Sequence, residues 1–304
     1  RYENFYERNS SHLITIKFMS LFRKIRDILT FRNFRKRHDR LENILKDIRE
    51  LLLSHQQNLA KTNSKNPINK YGKKIFSQTD EDGITLEILK RIDCLNKGNF
   101  IEFGVGNGTE NNTLILKALG WKGIWVGNQE LVINYKNSKN FSYQKNFVDL
   151  DNIVDLIKKG LNEIGEEKVD VMSLDLDGND YYFLKKIIEN NYKPKLFIVE
   201  YNAKFAPPIK WQIEYKNDHK WNGDDYFGAS LTTYNNFFER NGYKLLCCNS
   251  HTGANAFFIK QEFMNLFQEI PKSIDDIYMT PRYLLNNSSG FPLSLKTINK
   301  FFTD

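Results

Sequence analysis

The chain is poor in cysteine, with 3 in 304 residues, and Cys247 and Cys248 are adjacent. That number and spacing build neither a disulfide framework nor a zinc site, and they make a reducing cytoplasm the expected setting. No run approaches ~18 consecutive apolar residues, so a spanning helix is not expected. Internal repeats are absent too. A general excess of positive charge is also lacking. The formal net charge is +7, but residues 1–60 hold 13 Lys or Arg against seven acids, which places +6 there and leaves +1 for the other 244 residues. This asymmetry weakens the reading of a basic protein as a nucleic-acid binder. A hydrophobic content of 40% with 14% aromatics excludes wholesale disorder.

Three regions separate by composition. Residues 1–60 form a basic helical extension, in which Leu41, Ile44, Leu45, Ile48, Leu51 and Leu52 recur at three- and four-residue steps. Such a face packs on the body, pairs in a homodimer or receives a partner helix. Upstream, Ile14, Ile16, Phe18, Leu21, Phe22 and Ile25 mix with Arg23, Lys24 and Arg26, a pattern suited either to an anionic membrane surface or to a solvated basic face. Residues 61–75 read as a linker, polar and carrying Pro67 and Gly72. From Phe76 to Glu262, short apolar strands alternate with helical segments, the pattern of parallel βαβ units in a doubly wound sheet. Strands are expected at 100–103, 123–126, 169–174 and 196–199, with an antiparallel pair at 243–248 and 256–259. Residues 263–304, rich in turn formers, are expected as a cap over the site.

The strongest local signal is Phe100-Ile101-Glu102-Phe103-Gly104-Val105-Gly106-Asn107-Gly108. A strand enters a turn with glycines at alternate positions, where the backbone can approach a ligand closely. The spacing is not the G-x-G-x-x-G of a dinucleotide site. A second constellation falls at the ends of the next strands, in Ser173-Leu174-Asp175-Leu176-Asp177-Gly178 and Val199-Glu200-Tyr201-Asn202. Alternation would put Asp175 with Asp177 on one side, and Glu200 with Asn202. Crowded carboxylates repel unless a cation or a shared proton intervenes, and oxygen ligands suit Mg²⁺, Mn²⁺ or Ca²⁺. Turn and capping chemistry is the plainer reading of 177–180. His219 and His251 lie in loops beyond the strands and are candidate bases. The cluster from Lys204 to Trp211, with Trp221 and Tyr226, would stack a sugar or simply pack a loop.

Several of these segments occur together in a known order. Phe76-Ser77-Gln78-Thr79-Asp80-Glu81-Asp82-Gly83, Glu102 to Gly108, Asn112-Thr113, Gly120-Trp121, Leu174 to Tyr181, Val199 to Asn202, Gly228-Ala229-Ser230-Leu231 and Gly253 to Phe258 resemble class I S-adenosylmethionine (SAM) methyltransferases. The resemblance is to FkbM-like and related bacterial surface-polysaccharide enzymes. It implies a Rossmann-like, mostly parallel α/β domain that binds SAM through Glu102, Gly104, Gly106 and Gly108. It further implies a ribose-binding acid after the second strand, where this chain has Gly127; Asn128 or Glu130 would substitute, and Asp149 would neighbour the adenine. Related metal-dependent enzymes imply Asp175, Glu200 and Asn202 as ligands for Mg²⁺ or Mn²⁺ and Asp177 as base.

The function so implied is O-methylation of a saccharide or nucleotide-sugar acceptor; the expected setting is the cytoplasm, with residues 1–60 meeting the inner face of the membrane or a partner. Two rivals make different predictions. An RNA-modifying methyltransferase would bind RNA in a salt-dependent way through residues 1–60. A non-catalytic scaffold would bind a ligand in a decayed SAM site and recruit partners through its N-terminal helices; binding of neither SAM nor its demethylated product would remove the methyltransferase reading.

Overall fold

The computed structural model describes residues 3–281 apart from 134, 136 and 137; the side chains of residues 3–16, 32, 53 and 57 also fall outside the description. The chain divides into two units at His55/Gln56. The first contains most of one helix, α1 (Glu3–Asn63), which continues into the second. Its described side chains from Lys17 to His55 are exposed.

The second unit is built on a seven-stranded sheet. Chain order runs α2 (Glu81–Arg91), β1 (Asn99–Phe103), α3 (Leu114–Ala118), β2 (Lys122–Gly127), β3 (Phe141–Lys145), α4 (Ile153–Ile164), β4 (Val171–Leu174), α5 (Asp180–Glu189) and β5 (Leu196–Glu200). It ends with α6 (Leu231–Arg240), β6 (Tyr243–Cys248), β7 (Asn255–Lys260) and α7 (Ile274–Ile277). In space the strands lie in the order β3-β2-β1-β4-β5-β7-β6. The first five are parallel, and β7 enters antiparallel between β5 and β6. This is the Rossmann-like, doubly wound α/β class. The order reverses between β1 and β4, and such a switch point opens a crevice at the carboxyl ends of the strands.

The sequence explains the layers. Every residue of β1 and β4 is buried, as strands covered on both faces require. In α4, Ile153, Val154, Leu156, Ile157, Leu161 and Ile164 bury one face. At Gly160 an added Cβ would lie 2.5 Å from Ile124 Cγ2, so only glycine lets α4 sit this close to β2. Helix α6 begins at Ser230, whose hydroxyl accepts from the Thr233 amide.

One strand was not evident from the sequence. β3 reads Phe-Ser-Tyr-Gln-Lys and pairs only with β2. Two of its buried polar side chains reach α4: Gln144 Nε2 donates to the Leu156 carbonyl at 2.9 Å and Ser142 Oγ to Glu163 at 2.5 Å, while Gln144 Oε1 is buried without a partner.

The polar stretch 61–75 carries a short 3-10 helix at Pro67–Tyr71 with Ile68 and Asn69 buried. Asn66 and Asn69 donate to the carbonyls of Leu246 and Cys248 on β6, at 2.6 and 2.7 Å. Of the expected cap, residues 263–281 are described: Phe267, Ile270, Ile277 and Met279 join the main core, and Tyr278 donates its hydroxyl to the Ala203 carbonyl. Residues 282–304 lie outside the described residues.

Candidate functional site

The turn after β1 is held by backbone geometry that needs glycine. Gly104, Gly106 and Gly108 have φ of +88°, +52° and +88°. The Gly104 amide donates to the Val126 carbonyl and that of Gly108 to Val105. Two neighbouring recesses open over this turn, and both are lined by Gly104, Gly106 and Asp175. The larger, about 290 Å³, reaches the end of β2 at Gly127 and Asn128, the Phe147–Val148 segment, and Asp177 with His219. The smaller, about 220 Å³, reaches Glu102, Asn112, Gln78 and Asn255.

Glu102 is buried at the end of the smaller recess. Its carboxylate accepts from the amides of Asn112 (2.9 Å) and Thr113 (3.0 Å) and from the Thr113 hydroxyl. It therefore anchors the start of α3 as well as lining the recess. Burial raises its pKa to about 7, against the hydrogen bonds that favour the anion.

Asp175, Asp177 and Glu200 converge. Each offers a carboxylate oxygen, and the three lie within 4.8 Å of one another. Burial and then mutual repulsion push Asp175 and Glu200 well above the usual carboxylate range. Each carboxyl is a hydrogen-bonding neighbour of the other, so their oxygens lie close enough to share a proton or a cation. The other Glu200 oxygen, Oε2, is buried without a hydrogen-bond partner. Asp177 is exposed as a residue and takes the left-handed φ of +54°, while partial burial of its carboxyl at the recess raises its pKa. Asp180, from the plainer turn reading, accepts from the amides of Leu176 (2.9 Å) and Gly178 (3.0 Å) and is pushed by burial up to about 6. The three carboxylates together, with one orphaned oxygen, match the donor set of a hard divalent cation.

Asn202 lies two residues beyond the end of the strand that carries Glu200. β5 ends at Glu200, so strand alternation stops there. The Asn202 amide instead donates to the carbonyls of Asp225 (2.9 Å) and Phe227 (3.1 Å), tying down the following loop. Asp149 accepts from the amides of Asp151 and Asn152 and so caps the entry to α4; its neighbour Val148 is the one that lines the recess. Glu130 pairs with Lys145 at 2.5 Å in an exposed position, whereas Asn128 lines the recess. Gly127 has its own steric reason: an added Cβ would lie 2.9 Å from Val105 Cγ2, so a valine of the glycine turn fills the space an acid would need.

Of the two histidines, His219 lies over Gly178, where an added Cβ would come within 2.4 Å of its ring. It lines the larger recess beside Asp177. His251 lies elsewhere, with its amide donating to Asp80 at 3.1 Å. The aromatic cluster packs mainly on itself: Phe205 and Trp211 stack at 4.4 Å, and both are buried.

Sequence reasoning missed Gln78, Asn112, Asn255, Asn146 and Phe147 as lining residues. The Asp80-Glu81-Asp82 run pointed to two of them. Glu81 accepts from Asn249 (3.0 Å) and Asn255 (3.1 Å), and Asp80 from the amides of Ser250 and His251, both 3.1 Å. Asp82 gathers the amides of Ile75, Phe76 and Ser77 at 2.8, 2.5 and 2.8 Å. These buried acids clamp the 75–82 segment against the β6–β7 connection and so set Gln78 and Asn255 at the recess.

Across both recesses the lining includes Glu102, Glu110, Asp175 and Asp177, and among the described lining residues there is no Lys or Arg. Fold and site thus define a Rossmann-like α/β protein with a glycine-floored, acid-lined cleft at its switch point. No known family's sequence model matches the chain, and no curated protein does. Many solved structures are similar over part of it, three of them as follows. A Plasmodium falciparum protein described as a ribosomal RNA methyltransferase shares 12% identity over 58% of this chain and 92% of that one, with a TM-score of 0.35. A fibrillarin/Nop5p complex shares 14% over 54% and 71%, with a TM-score of 0.33. The glycopeptide N-methyltransferase MtfA shares 12% over 57% and 90%, with a TM-score of 0.31. The fold is defined by strand order and connections rather than by these distant likenesses.

Proposed function

We propose that this chain is a SAM-dependent O-methyltransferase acting on a saccharide hydroxyl, carried by a bacterial surface polysaccharide or its nucleotide-sugar precursor. The observation that carries the reading is the acid-lined cleft without a cationic side chain, set over the glycine turn. A dinucleotide or a phosphate would be repelled there, whereas a ligand bearing ammonium and sulfonium charges is favoured. The motif order that resembles FkbM-like enzymes supplies the saccharide; a diphosphate on the acceptor would stay outside the acidic recess.

The residues present fit such a ligand. Glu102 offers an anion at one end, and the backbone of Gly104 and Gly106 leaves room for close approach. Asn128 stands where the ribose hydroxyls would be held, and Phe147 with Val148 offers an apolar wall. SAM bound there would supply its sulfonium methyl group to the acceptor oxygen. Asp177, exposed at the mouth beside His219, would take the hydroxyl proton as the C–O bond forms and the C–S bond breaks, its electron pair leaving with sulfur as the demethylated thioether product. A divalent cation held by Asp175 and Glu200 would lower the pKa of that hydroxyl, with Asp177 kept as the base. Much of the protein's contribution is alignment of donor and acceptor.

The test is transfer of a labelled methyl group from SAM to sugar hydroxyl acceptors. Label recovered in the saccharide supports the proposal. Label recovered only in RNA favours the RNA-modifying reading, and label recovered nowhere, with no SAM binding, favours the scaffold.

A further inference from the structure

Helix α1 carries a surface that the proposed chemistry does not use. Phe18, Leu21, Phe22, Ile25, Ile28 and Leu29 are 44% to 67% exposed. At about 100° per residue they fall in one stripe roughly 120° wide. The rings of Phe18 and Phe22 lie with centroids 6.5 Å apart, so the stripe is continuous along the helix.

The charges beside this stripe have one sign. From residue 17 to 38, Lys17, Arg23, Lys24, Arg26, Arg32, Arg35, Lys36 and Arg37 face a single acid, Asp27. Asp27 itself lies 3.5 Å from the Arg26 guanidinium. This segment therefore carries a formal +7, equal to the excess of the whole chain. By helical spacing, Lys17 and Lys24 run along one edge of the stripe and Arg26 along the other.

The next part of the helix is different. Leu41, Ile44, Leu45, Ile48, Leu51 and Leu52 are also exposed. Their stripe is rotated roughly 140° from the first, at 100° per residue. Its charges are mixed, with Glu42, Lys46, Asp47, Arg49 and Glu50. One flat surface cannot receive both stripes, and only the first is flanked by cations alone.

We propose that residues 17–38 dock on an anionic lipid bilayer, lying in its plane. The Phe18–Leu29 stripe enters the boundary between headgroups and acyl chains, and the Lys and Arg side chains reach the lipid phosphates and carboxylates. No described helix is long and apolar enough to cross a membrane, which fits a helix lying on the surface. RNA would engage the same cations but gain nothing from six exposed apolar side chains; an anionic bilayer uses both.

The experiment is co-sedimentation of the full chain with vesicles of phosphatidylcholine, with and without about 30% phosphatidylserine. Binding to the anionic vesicles that weakens with salt, and little to the neutral ones, is expected. Arg23→Gln/Lys24→Gln/Arg26→Gln should weaken it on the order of 100-fold. Phe22→Ser/Ile25→Ser should weaken it as well, and Leu45→Ser/Leu52→Ser should leave it unchanged. Circular dichroism confirms that each variant stays helical. A helical chain that ignores anionic vesicles, binds neutral ones equally, or is insensitive to the first two variants overturns the proposal. So does loss of binding in the Leu45/Leu52 variant, or polyuridylate displacing the chain from vesicles at equal charge concentration.

Discussion

A Cβ added at Gly104 would fall 1.6 Å from the carbonyl oxygen of Asp175. The two residues follow β1 and β4 directly, at the point where the strand order reverses. This contact locks the glycine turn to the carboxylate trio, so one backbone approach serves both halves of the cleft.

Gly104→Ala should therefore destabilise the protein by about 2–3 kcal/mol, combining a positive φ with a backbone clash. Gly106, at φ +52°, would meet nothing within 4 Å. Its alanine variant should cost only about 1 kcal/mol. Urea unfolding of the two variants checks this; equal losses would show that the Asp175 contact constrains nothing.

The buried acids set a pH dependence. Burial lifts Glu102 from 4.5 to about 7 and Asp180 from 3.8 to about 6. The unfolded chain thus releases these protons near pH 4, while the folded chain keeps them until pH 6 to 7. Stability is fully present below pH 4 and is lost as pH rises through 6 to 7, by about 3 kcal/mol for Glu102. Chemical denaturation of the ligand-free chain at pH 5 and pH 8 should show the lower stability at pH 8, and Glu102→Gln should flatten the slope. A stability that stays level or climbs over that range contradicts the burial argument.

Cationic ligands should reverse that loss. Mg²⁺ or SAM is expected to raise the melting temperature more at pH 8 than at pH 5, because the acids must ionise to receive them. Glu200→Gln should abolish the Mg²⁺ part alone. An equal Mg²⁺ shift in the variant would remove the metal from the account.

Asp177 separates chemistry from folding. Asparagine tolerates the same left-handed conformation, so Asp177→Asn should change stability by less than about 0.5 kcal/mol. Turnover should drop roughly 10²–10⁴-fold while SAM binding persists. Undiminished turnover would exclude Asp177 as the base.

Much of this architecture was legible in the sequence, because buried parallel strands are apolar runs that end in glycine or acid. β3 was hidden because its half-polar pattern finds its partners on α4, through Ser142 Oγ and Gln144 Nε2, a tertiary fact. The site was legible where chemistry sits at strand ends, as with Glu102, Asp175, Asp177 and Glu200. Alternation did not reveal that the Asn202 amide ties down the following loop, because β5 stops two residues earlier. The capping role of Asp149 was lost beside its ligand reading, and the Gly127 gap made sense only once Val105 was seen to fill it.

The central claim is that the acid-lined cleft holds SAM. Calorimetric titration of the full chain with SAM and with its demethylated product tests it most directly. The account predicts that both bind with one-to-one stoichiometry and that Gly104→Val eliminates both heats. Binding of neither by the folded, unsubstituted chain would contradict it.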